Sequence, residues 1–409
     1  MKIIRPTSKE LEKLYYRSFN QKKRIRSTVS NIIEDVRLNQ DEAVRKYTRK
    51  FDKVMLKPRQ FIVTESEISA AFQNIPSDFV SGLKKIIENI NRFYKKQQKK
   101  NWKLKDSDGA IVGEQFHPIE RVGIYVPAGT APLVSCVYMS VLPAKLAGVP
   151  KIIMVSPPDK NGNINPYILA VASLLKVDEV YKVGGAQAIA ALTFGTKTIP
   201  RVDKIVGPGN AYVAEAKRQV FGYVDVDMIA GPTELVIIAS NYSDQEFIVS
   251  DMRAQREHIG GQAILITPSK KLAKAIKQQI PEKNYGCIIL VKNLIEAVEI
   301  NNKIAPEHTE LLTNNPKKLA KDIKNTGVVF LGPYSPTAVG DYVAGPSHVL
   351  PTGGTARFFS GLSLGDFIRS THIVSYNKKA LENVKSIIEK VCKIEGLEKH
   401  WESVNVRFQ

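Results

Sequence analysis

Four short polar clusters in the second half of the chain hold side chains suited to metal binding and proton transfer. They are Gln255-Arg256-Glu257-His258, Pro306-Glu307-His308, Gly340-Asp341-Tyr342 followed by Ser347-His348, and Glu395 followed by His400. The chain has only 6 histidines, and His117 and His372 alone stand outside these clusters. An imidazole is a nitrogen ligand for zinc or a proton carrier near neutral pH, and a neighbouring carboxylate or amide oxygen completes either kind of site. A hydrogen-bonded structural histidine accounts for any one of them alone; their joint occurrence points to a site. Glu307 and His308 are the pair best placed for proton transfer, because adjacent acid and base follow Pro306 just before an apolar run, as carbonyl and alcohol chemistry requires. An exposed loop pair is the plain alternative.

These residues need elements to hold them. Gln255 and His258 are three apart in a segment whose apolar residues Phe247, Ile248 and Met252 keep helical spacing, so both can face one point. Asp341 and His348 flank a Tyr-Val-Ala-Gly-Pro-Ser loop that can bend an oxygen and a nitrogen towards each other. The first ~110 residues read as helical, with stripes at Ile32, Ile33, Val36 and at Val44, Tyr47, Phe51. From Val122, short β-rich runs (VGIYVP, KIIMVS, EVYKVGG, DKIVGPG) alternate with helical segments at 186–192 and 210–220, the pattern of βαβ units on a parallel sheet. A second series runs through 235–239, 263–267, 287–291, 310–313 and 327–332, giving two α/β units. A helix over 379–394, stopped by Gly396, ends the chain. Ligands are expected at the carboxyl ends of the strands, where the turns Val183-Gly-Gly-Ala-Gln187 and Val206-Gly-Pro-Gly-Asn210 each open a helix towards a phosphate. Neither is GxGxxG, and a tight turn alone also explains the glycines.

With 409 residues, two or more domains are expected. No apolar run approaches the ~20 residues of a membrane-spanning helix, and the start lacks the core of a secretory signal, so a cytoplasmic protein without membrane contact is expected. Cys136, Cys287 and Cys392 are odd in number and lack CxxC spacing, which disfavours disulfides and a thiolate zinc site. The net charge of +19 is densest over residues 95–105. Those lysines follow the apolar helical stripe Phe79, Leu83, Ile86, Ile90 and Phe93, so they read as a solvated helix end, with no nucleic-acid-binding signature beside them.

Seven collinear stretches give the whole a sharper reading: DEAVRKYTRKFD at 41–52, RVGIYVPAGTAPL at 121–133, VGGAQAIAALTFGT at 183–196, VDKIVGPGNAYVAEAKRQV at 202–220, AGPTELVIIA at 230–239, APEHTELL at 305–312 and GDYVAGPSHVLPT at 340–352. Across nearly its whole length the chain resembles the L-histidinol dehydrogenase family. The resemblance implies zinc-dependent oxidation of L-histidinol through L-histidinaldehyde to L-histidine with two NAD⁺. It implies Gln255, His258, Asp341 and a partner-derived His400 as zinc ligands, and Glu307 and His308 as the acid/base pair. Thr233, His348 and Glu395 then contact substrate, as do the zinc ligands and Glu307, while Tyr125, Gln187 and Asn210 contact NAD. Thr233 stands where the family commonly has serine, and Ala128 where it has glycine. The implied architecture is two incomplete Rossmann-like α/β domains, 26–121 with 233–368 and 122–232. An N-terminal helical arm (1–25) and a C-terminal tail (369–409) flank them, the tail exchanged in a homodimer. Two alternatives are a paralogous dehydrogenase of another small diol, expected to depart at Glu395, His348 or His400, and a basic nucleic-acid-binding protein indifferent to zinc.

Overall fold

The computed structural model of the chain describes residues 1–16, 23–73, 75–128, 131–258, 260–282 and 286–409. Residues 17–22 of the expected N-terminal arm, and Gly129 and Thr130 of the 121–133 stretch, lie outside the described residues. In chain order the strands are β1 (Lys2–Ile4), β2 (Trp102–Lys105), β3 (Ile111–Pro118), β4 (Arg121–Tyr125), β5 (Lys151–Ser156), β6 (Glu179–Lys182), β7 (Lys204–Val206) and β8 (Asp225–Val226). They continue with β9 (Glu234–Ala239), β10 (Gln262–Thr267), β11 (Gly286–Leu290), β12 (His308–Leu312), β13 (Val328–Leu331) and β14 (Ile368–Ser375). The chain forms two compact units, residues 1–97 with 119–367, and 98–118 with 368–409.

The first unit contains two parallel sheets. The larger has the order β1-β11-β10-β9-β12-β13, and the smaller β6-β5-β4-β7-β8. All their paired strands run parallel. Strands buried on both faces need unbroken apolar runs, and β9, the centre of the larger sheet, is buried at every residue. One face of this sheet packs on Ile248, Val249 and Met252 of the helix Gln245–Gln255. The other packs on Ala297, Val298, Ile300 and Ile304 of the helix Leu294–Ile304. The smaller sheet is covered by the helix Gly185–Phe194 and by the long helical segment Lys23–Phe51, which donates Val29, Ile32, Val36, Val44 and Tyr47 to the core. That segment breaks at Gln40, whose φ of 48° is left-handed, and Phe51, expected on the apolar stripe, is exposed.

Two expectations for the first ~110 residues are corrected. Lys2–Ile4 is not helical: it pairs with β11 as the edge of the larger sheet. The lysine-rich stretch does not prolong a helix either. The helix Ser77–Tyr94 stops, a 3₁₀ turn spans Lys95–Gln97, and Trp102–Lys105 becomes β2.

In the second unit, β14, β3 and β2 form an antiparallel sheet. The helix Lys378–Glu395 follows, ended by Gly396 at φ 69°, and then the helix Glu398–Asn405. Lys385 Nζ lies 4.7 Å from the Phe408 ring centroid and 5.5 Å from that of Trp401, tying the two helices together. His117 and His372 sit exposed on β3 and β14, and Glu395 and His400 are exposed on the two helices.

Candidate active site

The expected catalytic residues gather at the amino edge of the larger sheet. His308 opens β12 and pairs in register with Leu235 near the start of β9. The general expectation that ligands sit at carboxyl ends therefore fails for this sheet. In the smaller sheet the glycine turns do lie at the carboxyl ends, Gly184 and Gly185 after β6 and Gly207 to Gly209 after β7. A cavity of about 180 Å³ has both kinds of edge in its wall: Gly207, Pro208 and Gly209 from the smaller sheet, and Thr233, Glu307 and His308 from the larger. His258, Asp341 and His348 line it as well. A volume of this order suits a small ligand, whereas drug-sized ligands fill roughly 300–1,000 Å³.

A bend in the chain sets the candidate pair Glu307 and His308. Ala305, after the helix Leu294–Ile304, takes a left-handed φ of 50°, and Pro306 then leads into β12. Both candidate side chains are held by the main chain of one residue, Glu234: its N–H donates to Glu307 Oε2 at 3.1 Å, and its carbonyl lies 3.2 Å from His308 Nδ1. A carbonyl only accepts, so Nδ1 carries a proton and Nε2 is the atom left for proton transfer. Nε2 is buried, without a hydrogen-bond partner, and 3.7 Å from Asp341 Oδ1. Burial raises the pKa of Glu307. Burial alone would lower that of His308, but the Glu307 and Asp341 carboxylates overcome it and lift it to about 9. Asp341 experiences the reverse: burial raises its pKa, but His308, His348 and His258 together bring it below the ordinary value.

The candidate metal ligands arrive from three directions. Gln255 is the last residue of its helix, 3% exposed, and its Nε2 donates to Thr233 Oγ1 at 3.0 Å, leaving its amide oxygen as the available donor atom. His258 is not on that helix, as its spacing implied. The helix ends, and the chain turns back with Gly261 N–H donating to His258 O at 3.0 Å and Arg256 donating to Gly261 O at 2.8 Å. A Cβ on Gly261 would sit 2.3 Å from Gln255 O, so the turn requires glycine. Asp341 lies on the short helix Thr337–Tyr342. His348 follows it, its Nε2 3.2 Å from Ser135 Oγ, with its pKa lowered by burial. The oxygen and nitrogen donors of Gln255, His258 and Asp341 suit zinc, and three of them fall one short of a four-coordinate site. Among the described residues no cluster of three or more His, Cys, Asp and Glu side chains forms a ligand set by itself.

The candidate nucleotide residues flank the glycine turns. Tyr125 closes β4, and its hydroxyl accepts Gly185 N–H at 3.1 Å. Gln187, fully buried, has both amide atoms without partners. Asn210 caps the helix Ala211–Val220 by accepting from Tyr212 and Val213 N–H. A Cβ on Gly207, at φ 119°, would sit 2.2 Å from Tyr125 O, so only glycine lets this turn lie so close to the end of β4. A buried ion pair fixes the second turn: Lys217 bonds Gly207 O and Asp227, whose Oδ2 accepts Gly207 N–H at 2.8 Å. Sequence reading overlooked Ser135, Lys217 and Asp227. Lys217 lies in the 202–220 stretch and Asp227 beyond its end, and their pairing across 10 residues has no local signal.

A parallel α/β chain that brings a buried carboxylate and imidazole together in one cavity has the site of an enzyme. A sequence model described as histidinol dehydrogenase matches residues 16–408. The histidinol dehydrogenase of Clostridium acetobutylicum is 46% identical over 430 residues, covering 100% of this chain and 99% of that one. That of Caldanaerobacter subterraneus is 46% identical over 412 residues, covering 97% and 95%. A crystal structure of histidinol dehydrogenase from Elizabethkingia anophelis superposes with a TM-score of 0.93 at 35% identity, covering 100% of this chain and 98% of that one. The chain belongs to the histidinol dehydrogenase family and is an oxidoreductase.

Proposed function

We propose that this protein oxidises L-histidinol through L-histidinaldehyde to L-histidine, with zinc and two NAD⁺. The observation that carries this reading is the meeting of Glu307, His308, His258 and Asp341 in one cavity with the glycine turn of the smaller sheet. Zinc would be held by Gln255, His258, Asp341 and His400 of the partner subunit. It would supply a charge that orients the substrate, and each NAD⁺ would take up one hydride. His308 Nε2, once it has lost the proton that the neighbouring carboxylates favour below about pH 9, accepts the alcohol proton in the first oxidation. Glu307 then takes a proton from water as it attacks the aldehyde, giving the hydrate from which the second hydride leaves. Thr233, His348 and Glu395 of the exchanged tail orient the substrate. Tyr125, Gln187 and Asn210 hold the nucleotide; the unpartnered amide of Gln187 supports this. The reading includes a cytoplasmic homodimer with exchanged tails and two incomplete Rossmann-like halves, one built on each parallel sheet. The test is NADH formation with histidinol. Two NADH per histidinol with histidine as product, lost on chelation and restored by zinc, is expected; one NADH with released aldehyde would sink it.

A further inference from the structure

Two residues beyond His308 on β12 stands an acid for which the proposed reaction has no use. Glu310 is 1% exposed. Its Oε1 accepts the N–H of Thr337 at 3.0 Å, at the start of the helix on which Asp341 lies one turn further on. Its Oε2 is buried and meets no donor. Against it stands the carboxyl of Asp251, half-buried on the helix Gln245–Gln255, one turn before Gln255. Across the sheet Glu310 faces Ile237 and Phe330, which carry no charge, and His308 is the other titratable group that acts on it.

Two adjacent carboxylates cannot both ionise in such a site, and a carboxylate oxygen without a donor is satisfied once a proton lies between them. Burial, and then Asp251, push Glu310 up to about 8. Burial also raises Asp251, while its contact with Glu310 lowers it, which leaves the proton on Glu310. We propose that Glu310 and Asp251 share one proton and so tie the helix ending at Gln255 to the helix carrying Asp341, acting as positioning residues for the metal site. This deepens, and rests on, the zinc reading above. The Glu310 hydroxyl donates to Asp251 while Oε1 keeps its bond to Thr337, so one side chain anchors both ligand-bearing elements a turn away from each ligand.

Glu310→Gln preserves both bonds without a titrating proton, whereas Glu310→Leu removes both. In metal-stripped protein titrated with zinc against a chromophoric chelator, Glu310→Leu should lose affinity on the order of 10-fold, and Glu310→Gln should remain near the wild type. Amide hydrogen exchange at residues 337–341 of the metal-free protein should quicken in Glu310→Leu alone. In the folded state Glu310 keeps a proton that the unfolded chain loses at its ordinary value, so metal-free stability should fall as pH rises from that value towards about 8, then level off. Glu310→Gln should remove that slope. Folded Glu310→Leu with wild-type zinc affinity and exchange, or parallel stability profiles of wild type and Glu310→Gln, would overturn the clamp. A wild-type protein that binds no zinc would instead overturn the metal reading, while the metal-free exchange and pH profiles still decide the clamp.

Discussion

At the level of single residues, the division of labour between Glu307 and His308 gives the sharpest expectation. Glu307→Gln retains an acceptor for Glu234 N–H but cannot take a proton from water, so aldehyde oxidation should fall by on the order of 10²–10⁴ and alcohol oxidation by much less. Separate assays of histidinol and histidinaldehyde turnover check this, and equal losses would argue against the assignment. His258→Ala should lower bound zinc and substrate affinity together, because an imidazole ligand contributes directly to metal affinity. His117→Ala should change neither, since His117 lies exposed on β3. Metal analysis of both folded variants decides the matter.

Single elements show where the sequence was legible. The central strands were: LVIIA and AILIT read as buried strands because nothing in them breaks an apolar run, and β9 and β10 contain them. β1 was not, since three residues carry no periodicity and only pairing with β11 defines them. β2, Trp-Lys-Leu-Lys, was hidden by its charge: its alternation is that of a strand, but the lysines resembled a helix end. His258 was wrongly placed on the helix of Gln255, because it lies in a turn beyond the helix end that depends on Arg256 reaching Gly261. Glu310 passed for an ordinary strand residue, for its partners Asp251 and Thr337 are distant in sequence. The turn after β7 carries its own expectation. Asp227→Ala would leave Lys217 buried without its counter-ion and Gly207 N–H without its acceptor. Denaturant unfolding should show a loss of about 3–5 kcal/mol, and KM for NAD⁺ should rise if that turn meets the nucleotide.

For the whole molecule, the expectation concerns subunits. Exposed Glu395 and His400 belong to the second unit, and a two-fold dimer exchanging tails would give each site His400 of the partner subunit. Inactive Glu307→Gln and His400→Ala chains, dissociated and reassembled together, should regain activity at about a quarter of all sites under random pairing. Mixed dimers that form and stay inactive would assign His400 to its own chain or to no role. Within each site, the grip on the acid and the base comes from the peptide groups of Glu234 in the central strand. It therefore lasts as long as the sheet does, and heating should abolish activity only as β9 and β12 separate. The part supplied by Glu234 is also invisible to side-chain mutagenesis, since any amino acid except proline at position 234 brings the same N–H and C=O. Only chemistry on the backbone itself, such as an ester in place of the amide preceding that residue, would release Glu307 while leaving every side chain in place.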